Sequence, residues 1–166
     1  TLFRSAYNWD DIEKEAIEAG VDHFMAKPLF SGNVLPAYKQ ARSRKDGGQD
    51  KSRQKADLTG RRILVAEDME INAEIMQMLL KSMQVESEVA ENGQVAVDKF
   101  KESEEGYFDA ILMDVRMPVL DGLEATKAIR ALSHPDAQKI PIIAMTANAF
   151  DEDVQRSLQA DRKSTR

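Results

Sequence analysis

The sequence predicts a parallel α/β sheet, on two observations. Strand-like segments alternate with helix-like segments from residue 61 onward, and this alternation is typical of βαβ units. Two of the apolar segments end directly on acidic residues, and parallel α/β folds carry their functional sites at the carboxyl ends of strands. The predicted strands are RILVA (62–66), VESEVA (85–90), DAILMD (109–114) and IPIIAMT (140–146).

Helical spacing of apolar residues predicts the segments between these strands. In residues 69–83 a stripe of apolar side chains recurs at helical spacing, and we interpret it as a core-facing surface. A turn at Asn92-Gly93 precedes a helix over 95–101. A helix is predicted from Leu123 to Leu132, and another begins over 151–160. The apolar stripe in residues 69–83 consists of Ile71, Ile75, Met78, Leu79 and Met83.

A second strand-and-helix segment precedes these elements. A helix over 9–19, the strand DHFMA (22–26) and a helix over 31–42 are predicted there, and residues 5–19 resemble residues 146–160, as an internal repeat does. The polar stretch 43–60, which contains Gly47-Gly48, reads as a flexible linker.

Composition and charge exclude several classes of protein. The chain has 166 residues and a net charge of -6, and it lacks the basic stripe of a nucleic-acid-binding domain, so we expect no direct nucleic-acid contact. It has no cysteine, so disulfides, thiol catalysis and cysteine-based zinc sites are excluded, and a cytoplasmic setting is expected. Its apolar runs are too short to span a bilayer, so this segment should make no membrane contact.

Polar residues at the strand ends predict a metal site. The first strand of the 62–146 region is followed by Glu67-Asp68, the third ends on Asp114 and the fourth on Thr146. Three carboxylates at one sheet edge repel one another unless a cation lies between them, and an all-oxygen ligand set favours Mg²⁺. Beside such a cation, an aspartate can attack phosphorus, and a hydroxyl can hydrogen-bond the phosphoryl oxygens.

These residues carry a family resemblance. The motifs ILVAED with Asn72, LMDVRMPVLDG, and IPIIAMTANA occur in the order found in the receiver domains of bacterial response regulators, which the chain resembles over about residues 62–160. The resemblance implies a flavodoxin-like fold with strand order 2-1-3-4-5. It also implies cytoplasmic signalling by phosphoryl transfer from a histidine kinase or histidine phosphotransfer domain.

The resemblance assigns roles to single residues. Asp114 corresponds to the phosphoacceptor, Asp68 to the direct Mg²⁺ ligand and Glu67 to the second acid. Arg116 corresponds to the position whose backbone carbonyl binds the metal, and Thr146 to the switch hydroxyl.

The N-terminal segment resembles the last third of another receiver. HFMAKPLF is similar to a receiver's fifth strand, with Phe24 at the aromatic switch position and Lys27 as the phosphate-binding lysine. Two receivers in tandem imply the tail of a bacterial hybrid sensor histidine kinase, whose parent protein could be anchored in a membrane. No ATP-binding or histidine-box motif lies in these residues, so a kinase activity is not assigned to the chain itself.

The domain organisation that follows is unusual. Residues 6–42 are expected to be the remnant of a first receiver, 43–60 a linker, and 61–160 a second receiver that lacks its fifth strand and helix. The second receiver's own lysine would fall beyond residue 166. We expect residues 1–5 and 161–166 to be non-native ends, since TLFRS and DRKS can be encoded by one nucleotide word and its reverse complement.

Two structures are compatible with this organisation. The N-terminal strand could fill the vacant sheet edge in circularly permuted order and bring Lys27 to Asp114, or the sheet could stay open with four strands. Two other functions also stay open: an interaction domain that takes no phosphate, and a Mg²⁺-dependent phosphatase with an aspartyl nucleophile. The phosphatase typically has a second acid two residues after its nucleophile, and this chain has Arg116 there.

Overall fold

The structure is a computed structural model, and it describes residues 9–26, 31–45 and 58–146. These residues form a parallel sheet with helices on both faces, as the sequence predicts. In chain order the elements are α1 (Trp9–Ala19), β1 (His23–Ala26), α2 (Ser31–Lys45), β2 (Arg62–Ala66), α3 (Glu70–Ser82), β3 (Glu86–Ala90), α4 (Gly93–Glu102), β4 (Ala110–Asp114), α5 (Gly122–Arg130) and β5 (Ile142–Thr146).

The sheet has five strands in the order β1-β5-β4-β2-β3. The first strand of the chain therefore lies at the edge next to the last one, and every pair is parallel. Read from the β3 edge, this is the 2-1-3-4-5 order with its fifth position filled by β1. The permuted closure is thus confirmed, and the open four-stranded alternative is wrong for this structure.

Apolar side chains lie on both faces of the sheet, and helices bury both faces, as is usual for parallel sheets. Each of β2, β4 and β5 is buried along nearly its whole length. On one face Ile63, Leu112 and Ile143 pack with α2 and α3 through residues such as Tyr38 and Leu80. The other face packs against α4 and α5, through Leu64, Ala66, Phe100, Ile111, Met113, Ile129 and Ile142.

The orientation of α3 differs from the sequence prediction. Ile71 and Met78 were expected to face the core, but they are 69% and 72% exposed. The helix instead buries Ala73, Met76 and Leu80. Both stripes recur at intervals of three and four residues, so periodicity alone does not select between them. The buried stripe is the one that faces the sheet. The prediction is therefore wrong for Ile71, Ile75 and Met78, whereas Leu79 and Met83 are partly buried against the core.

Some expectations lie wholly or partly outside the described residues. The predicted helix over 151–160 and the proposed non-native ends lie outside them, as do residues 46–57 of the predicted linker. At the margins of that linker, α2 extends to Lys45 and Leu58 is buried in the core. The division into two receiver pieces stays a prediction. Within the described ranges, no helix is long and apolar enough to cross a membrane.

Candidate functional site

The strand register brings the predicted site residues to one edge of the sheet. Asp114, the last residue of β4, pairs with Met145 of β5, and Thr146 is the next residue along β5. Met113 pairs with Ala66 on the other side, so Glu67 leaves β2 beside Asp114. The carboxyl ends of the central strands therefore carry all of these side chains at one edge, as parallel pairing requires.

The three acidic residues form a compact cluster. Glu67, Asp68 and Asp114 each offer a carboxylate oxygen, and these oxygens all lie within 4.8 Å of one another. Glu67 and Asp114 are buried and Asp68 is exposed, so solvent reaches the cluster at Asp68. Hard oxygen donors at this spacing, with an open side for water, fit the octahedral, partly hydrated coordination of Mg²⁺. The donor set is unsuited to softer metals that prefer nitrogen or sulfur.

Backbone donors orient two of these carboxylates. The Arg116 amide donates to Asp114 Oδ1 at 3.2 Å, and the Met69 amide donates to Glu67 Oε1 at 3.2 Å. Each bond joins a carboxylate to the amide two residues later, so each side chain is held by its own loop.

The loop after Asp114 is supported by close backbone packing. The Gly122 amide donates to the Val115 carbonyl at 3.0 Å and the Gly93 amide to the Leu120 carbonyl at 3.2 Å. A Cβ at Gly122 would lie 2.0 Å from the Asp114 carbonyl oxygen, and one at Gly93 would lie 2.2 Å from that of Leu120. Only glycine permits these approaches, so the two glycines hold both ends of the loop against the fold.

The other predicted site residues are Thr146, Lys27 and Arg116. Thr146 is buried at the end of β5 and pairs with Ala26 of β1. Lys27 follows Ala26 directly but lies outside the described residues, as does any contact it makes. The backbone of Arg116 is placed at the site by its hydrogen bond to Asp114, whereas metal binding by its carbonyl stays a proposal.

One wall of the site was not anticipated from the sequence. Ile12 and Glu15 of α1 line an open cleft together with Asp68, Arg116 and Pro118. These α1 residues belong to the segment that the sequence assigns to another receiver. No local sequence pattern identifies these residues as part of the site, because α1 reaches the site only when β1 closes the sheet.

Comparison with known proteins assigns the family. The model of the response regulator receiver domain family matches residues 63–164. A hybrid signal transduction histidine kinase I from Dictyostelium discoideum is 34% identical over 140 residues, which cover 82% of this chain and 8% of that protein. Sensor protein GacS from Pseudomonas syringae pv. syringae is 37% identical over 100 residues, which cover 60% of this chain and 11% of that protein.

A solved structure agrees with this assignment. The receiver domain of a sensor histidine kinase from Pseudomonas aeruginosa PAO1, solved with a magnesium ion coordinated in its active-site cleft, is 39% identical. The match has a TM-score of 0.50 and covers 61% of this chain and 80% of that one.

The comparisons also limit what can be transferred. The chain spans 8% and 11% of the lengths of these two relatives, so the activity of a whole relative is not assigned to it. Relatives occur in an amoeba and in a bacterium, and the bacterial source that the resemblance implied stays a prediction. The matched family model covers more than half of the chain, and its range includes the three residues of the acidic cluster. The chain belongs to the response regulator receiver domain family.

Proposed function

We propose that this chain is the phosphoacceptor module of a two-component phosphorelay and that Asp114 takes the phosphoryl group. The observation that carries this proposal is the clustering of Glu67, Asp68 and Asp114 carboxylate oxygens within 4.8 Å at the end of β4. Asp114 ends a buried strand on a short, packed loop, which is a rigid mounting for a nucleophile.

The proposed transfer uses the chain's residues as follows. An Asp114 carboxylate oxygen attacks the phosphorus of a phosphohistidine, a phosphorus–oxygen bond forms and the phosphorus–nitrogen bond breaks. The electron pair of the broken bond returns to the histidine nitrogen, which takes up a proton. In this proposal Thr146, which lies one position beyond the strand partner of Asp114, hydrogen-bonds a phosphoryl oxygen. We assign Lys27 the role of the cation that neutralises the acyl phosphate.

Glu67 and Asp68 would hold Mg²⁺ together with Asp114 and the Arg116 carbonyl. The ion supplies positive charge that balances the phosphoryl oxygens. Glu67 is almost fully buried beside Asp114, so a cation held here would offset the repulsion between the two carboxylates.

The direct test supplies phosphate without a protein partner. Incubating the chain with acetyl phosphate and Mg²⁺ should add the mass of one phosphoryl group, read by intact-mass spectrometry, and EDTA should prevent the addition. An unmodified mass under conditions that label a reference receiver would support the non-phosphorylatable alternative. Continuous release of phosphate without an accumulated adduct would support the phosphatase alternative.

Mg²⁺ affinity should depend on the two acids that precede α3. Replacing Asp68 by Asn should weaken Mg²⁺ binding about 10- to 100-fold, because a neutral amide oxygen replaces a charged ligand. Glu67→Gln should act in the same direction. Isothermal titration calorimetry measures both. The matched control is Asp98→Asn on α4, which keeps an oxygen for the bond from Gln94 Nε2. Equal Mg²⁺ affinities in all three variants would contradict this site.

The exposed face of α3 is where we place the histidine-bearing partner. Met69, Ile71, Ile75 and Met78 are all more than half exposed. Their helix starts at Glu70, two residues after Asp68, so a protein bound to this face is adjacent to the acidic cluster. A partner that delivers phosphohistidine to Asp114 must approach this rim, and buried apolar contact gives its association specificity and strength.

The double variant Ile71→Ser/Ile75→Ser should separate binding from folding. It should slow phosphoryl transfer from a histidine phosphotransfer partner by about tenfold or more, and leave acetyl phosphate labelling unchanged. The unfolding free energy should fall by about 1 kcal/mol or less, because isoleucine and serine have similar helix propensities and both side chains are more than half exposed. The control Glu74→Ser/Gln77→Ser changes exposed residues elsewhere on α3, and equal slowing in both double variants would remove this face from the proposal.

A further inference from the structure

One residue in the loop between β4 and α5 has an unfavourable backbone conformation. Val119 has a φ of +70°, in the left-handed region that β-branched side chains rarely occupy. The Leu120 amide donates to the Pro118 carbonyl at 2.8 Å, so Val119 is the central residue of a three-residue turn. Turns of this kind with a positive φ are rare and strained. Valine is therefore less stable at this position than glycine or asparagine, which tolerate the left-handed region.

The other described residues with a positive φ have a local reason for it. Three of them are Gly20, Gly60 and Gly106, which adopt this conformation without a steric cost. Gln84, whose side chain is unbranched at Cβ, directly follows the C-cap of α3, where a left-handed residue commonly ends a helix. Val119 is the β-branched member of this group, and no helix ends there.

The fold gives the Val119 side chain no packing in return for this strain. The side chain is 80% exposed, more than any other large apolar side chain in the described ranges. Its loop neighbours Met117 and Leu120 pack against a buried apolar cluster, whereas Val119 belongs to none of the clusters of the described core. Locally unfavourable residues are typical of functional positions. A stabilising contact for this side chain therefore has to come from another molecule.

Val119 lies at the rim of the acidic cluster, across the sheet edge from α3. The preceding residue, Pro118, lines the same cleft as Asp68. The helix α3 packs on one face of the sheet through Met76, and the loop that contains Val119 packs on the other face through Leu120. The exposed apolar face of α3 and the Val119 side chain therefore flank the acidic cluster from two sides.

We propose that Val119 is a specificity-determining contact for the protein that delivers phosphohistidine to Asp114, an inference that rests on the proposed function. Such a partner has two apolar contact areas beside its histidine, one for the exposed face of α3 and a shallow depression for the Val119 side chain. Burial of this side chain in the complex offsets the strain of its turn. Because the turn already holds the side chain outward, little conformational entropy is lost on binding.

Asparagine at position 119 tests this assignment, because it accepts the left-handed conformation but removes the apolar surface. The quantity measured is the rate of phosphoryl transfer from a panel of phosphorylated histidine phosphotransfer domains, divided by the rate of labelling by acetyl phosphate. Val119→Asn should lower this ratio about three- to tenfold, the effect of losing most of one buried valine side chain. The loss should come from a higher half-saturating concentration of the partner. Val119→Ile should keep the ratio of the parent chain.

The matched control is Gln84→Asn, which also replaces an exposed residue of positive φ. Gln84 precedes the amino end of β3, away from the acidic cluster, so its substitution should leave the ratio unchanged. Urea unfolding supplies a second readout. Val119→Asn should unfold at the same or a higher urea concentration than the parent chain, and a lower midpoint would show that valine stabilises the fold itself and would refute the assignment.

The remaining outcomes separate this inference from the proposed function. An unchanged ratio in Val119→Asn, or transfer and labelling slowed equally, would overturn the role of Val119 and leave Asp114 as the phosphoacceptor. Absence of transfer from every domain to a parent chain that acetyl phosphate labels would also overturn it. A parent chain that acetyl phosphate does not label would contradict the proposed function instead.

Discussion

Replacing Asp114 by Asn should abolish the phosphoryl adduct that we expect acetyl phosphate and Mg²⁺ to form on this chain. The amide keeps the shape of the side chain at the end of β4 but lacks the nucleophilic carboxylate. Asp114 is 5% exposed, and its Oδ1 accepts from the Arg116 amide, an interaction that the amide oxygen of Asn can also make. We expect at least a hundredfold loss of labelling in intact-mass spectra, with the far-UV spectrum unchanged.

The matched control is Asp109→Asn, at the opposite end of the same strand. Asp109 accepts from the Arg62 amide at 2.9 Å and pairs with Arg61, far from the acidic cluster along β4. Its substitution should leave labelling unchanged. Comparable loss of labelling in both variants would indicate damage to β4, and an unaltered adduct in Asp114→Asn would place the phosphoacceptor elsewhere.

Gly122→Ala should be strongly destabilising although it adds one methyl group. The added Cβ would lie 2.0 Å from the Asp114 carbonyl oxygen and 3.0 Å from Met113 Cγ. The backbone oxygen belongs to a buried central strand and cannot move without disturbing the sheet. We expect the unfolding free energy to fall by about 3 kcal/mol, the upper range for overpacking, as measured by urea titration followed by circular dichroism.

Gly60→Ala is the control for this substitution. Gly60 has a φ of +79° and no neighbouring atom within 4 Å of an added Cβ, so only its backbone conformation opposes a side chain. Its cost should be about 1 kcal/mol. If both variants lost the same stability, close packing under Asp114 would not be the reason for glycine at position 122. Gly122→Ala should also slow acetyl phosphate labelling, because the shifted carbonyl is that of Asp114, the proposed phosphoacceptor.

Contacts between residues that are distant in the sequence account for the features that the sequence did not predict. The pairing of β1 with β5 joins residues separated by more than a hundred positions, and the sequence left it open beside a four-stranded alternative. The buried Arg130–Asp22 ion pair has no local signal at all, since a charged residue at a helix end usually faces solvent. The α1 wall of the site follows from the same closure.

The amino-acid sequence was enough to predict the alternation of strands and helices and to identify the acids that meet at one edge of the sheet. Local periodicity and strand-end position carry that information, because parallel pairing aligns all carboxyl ends. Tertiary structure decided which of two apolar stripes on α3 is buried and which segment closes the sheet. Both outcomes depend on packing partners distant in the chain: Met76 and Leu80 face the sheet, and Ile71 is left for solvent.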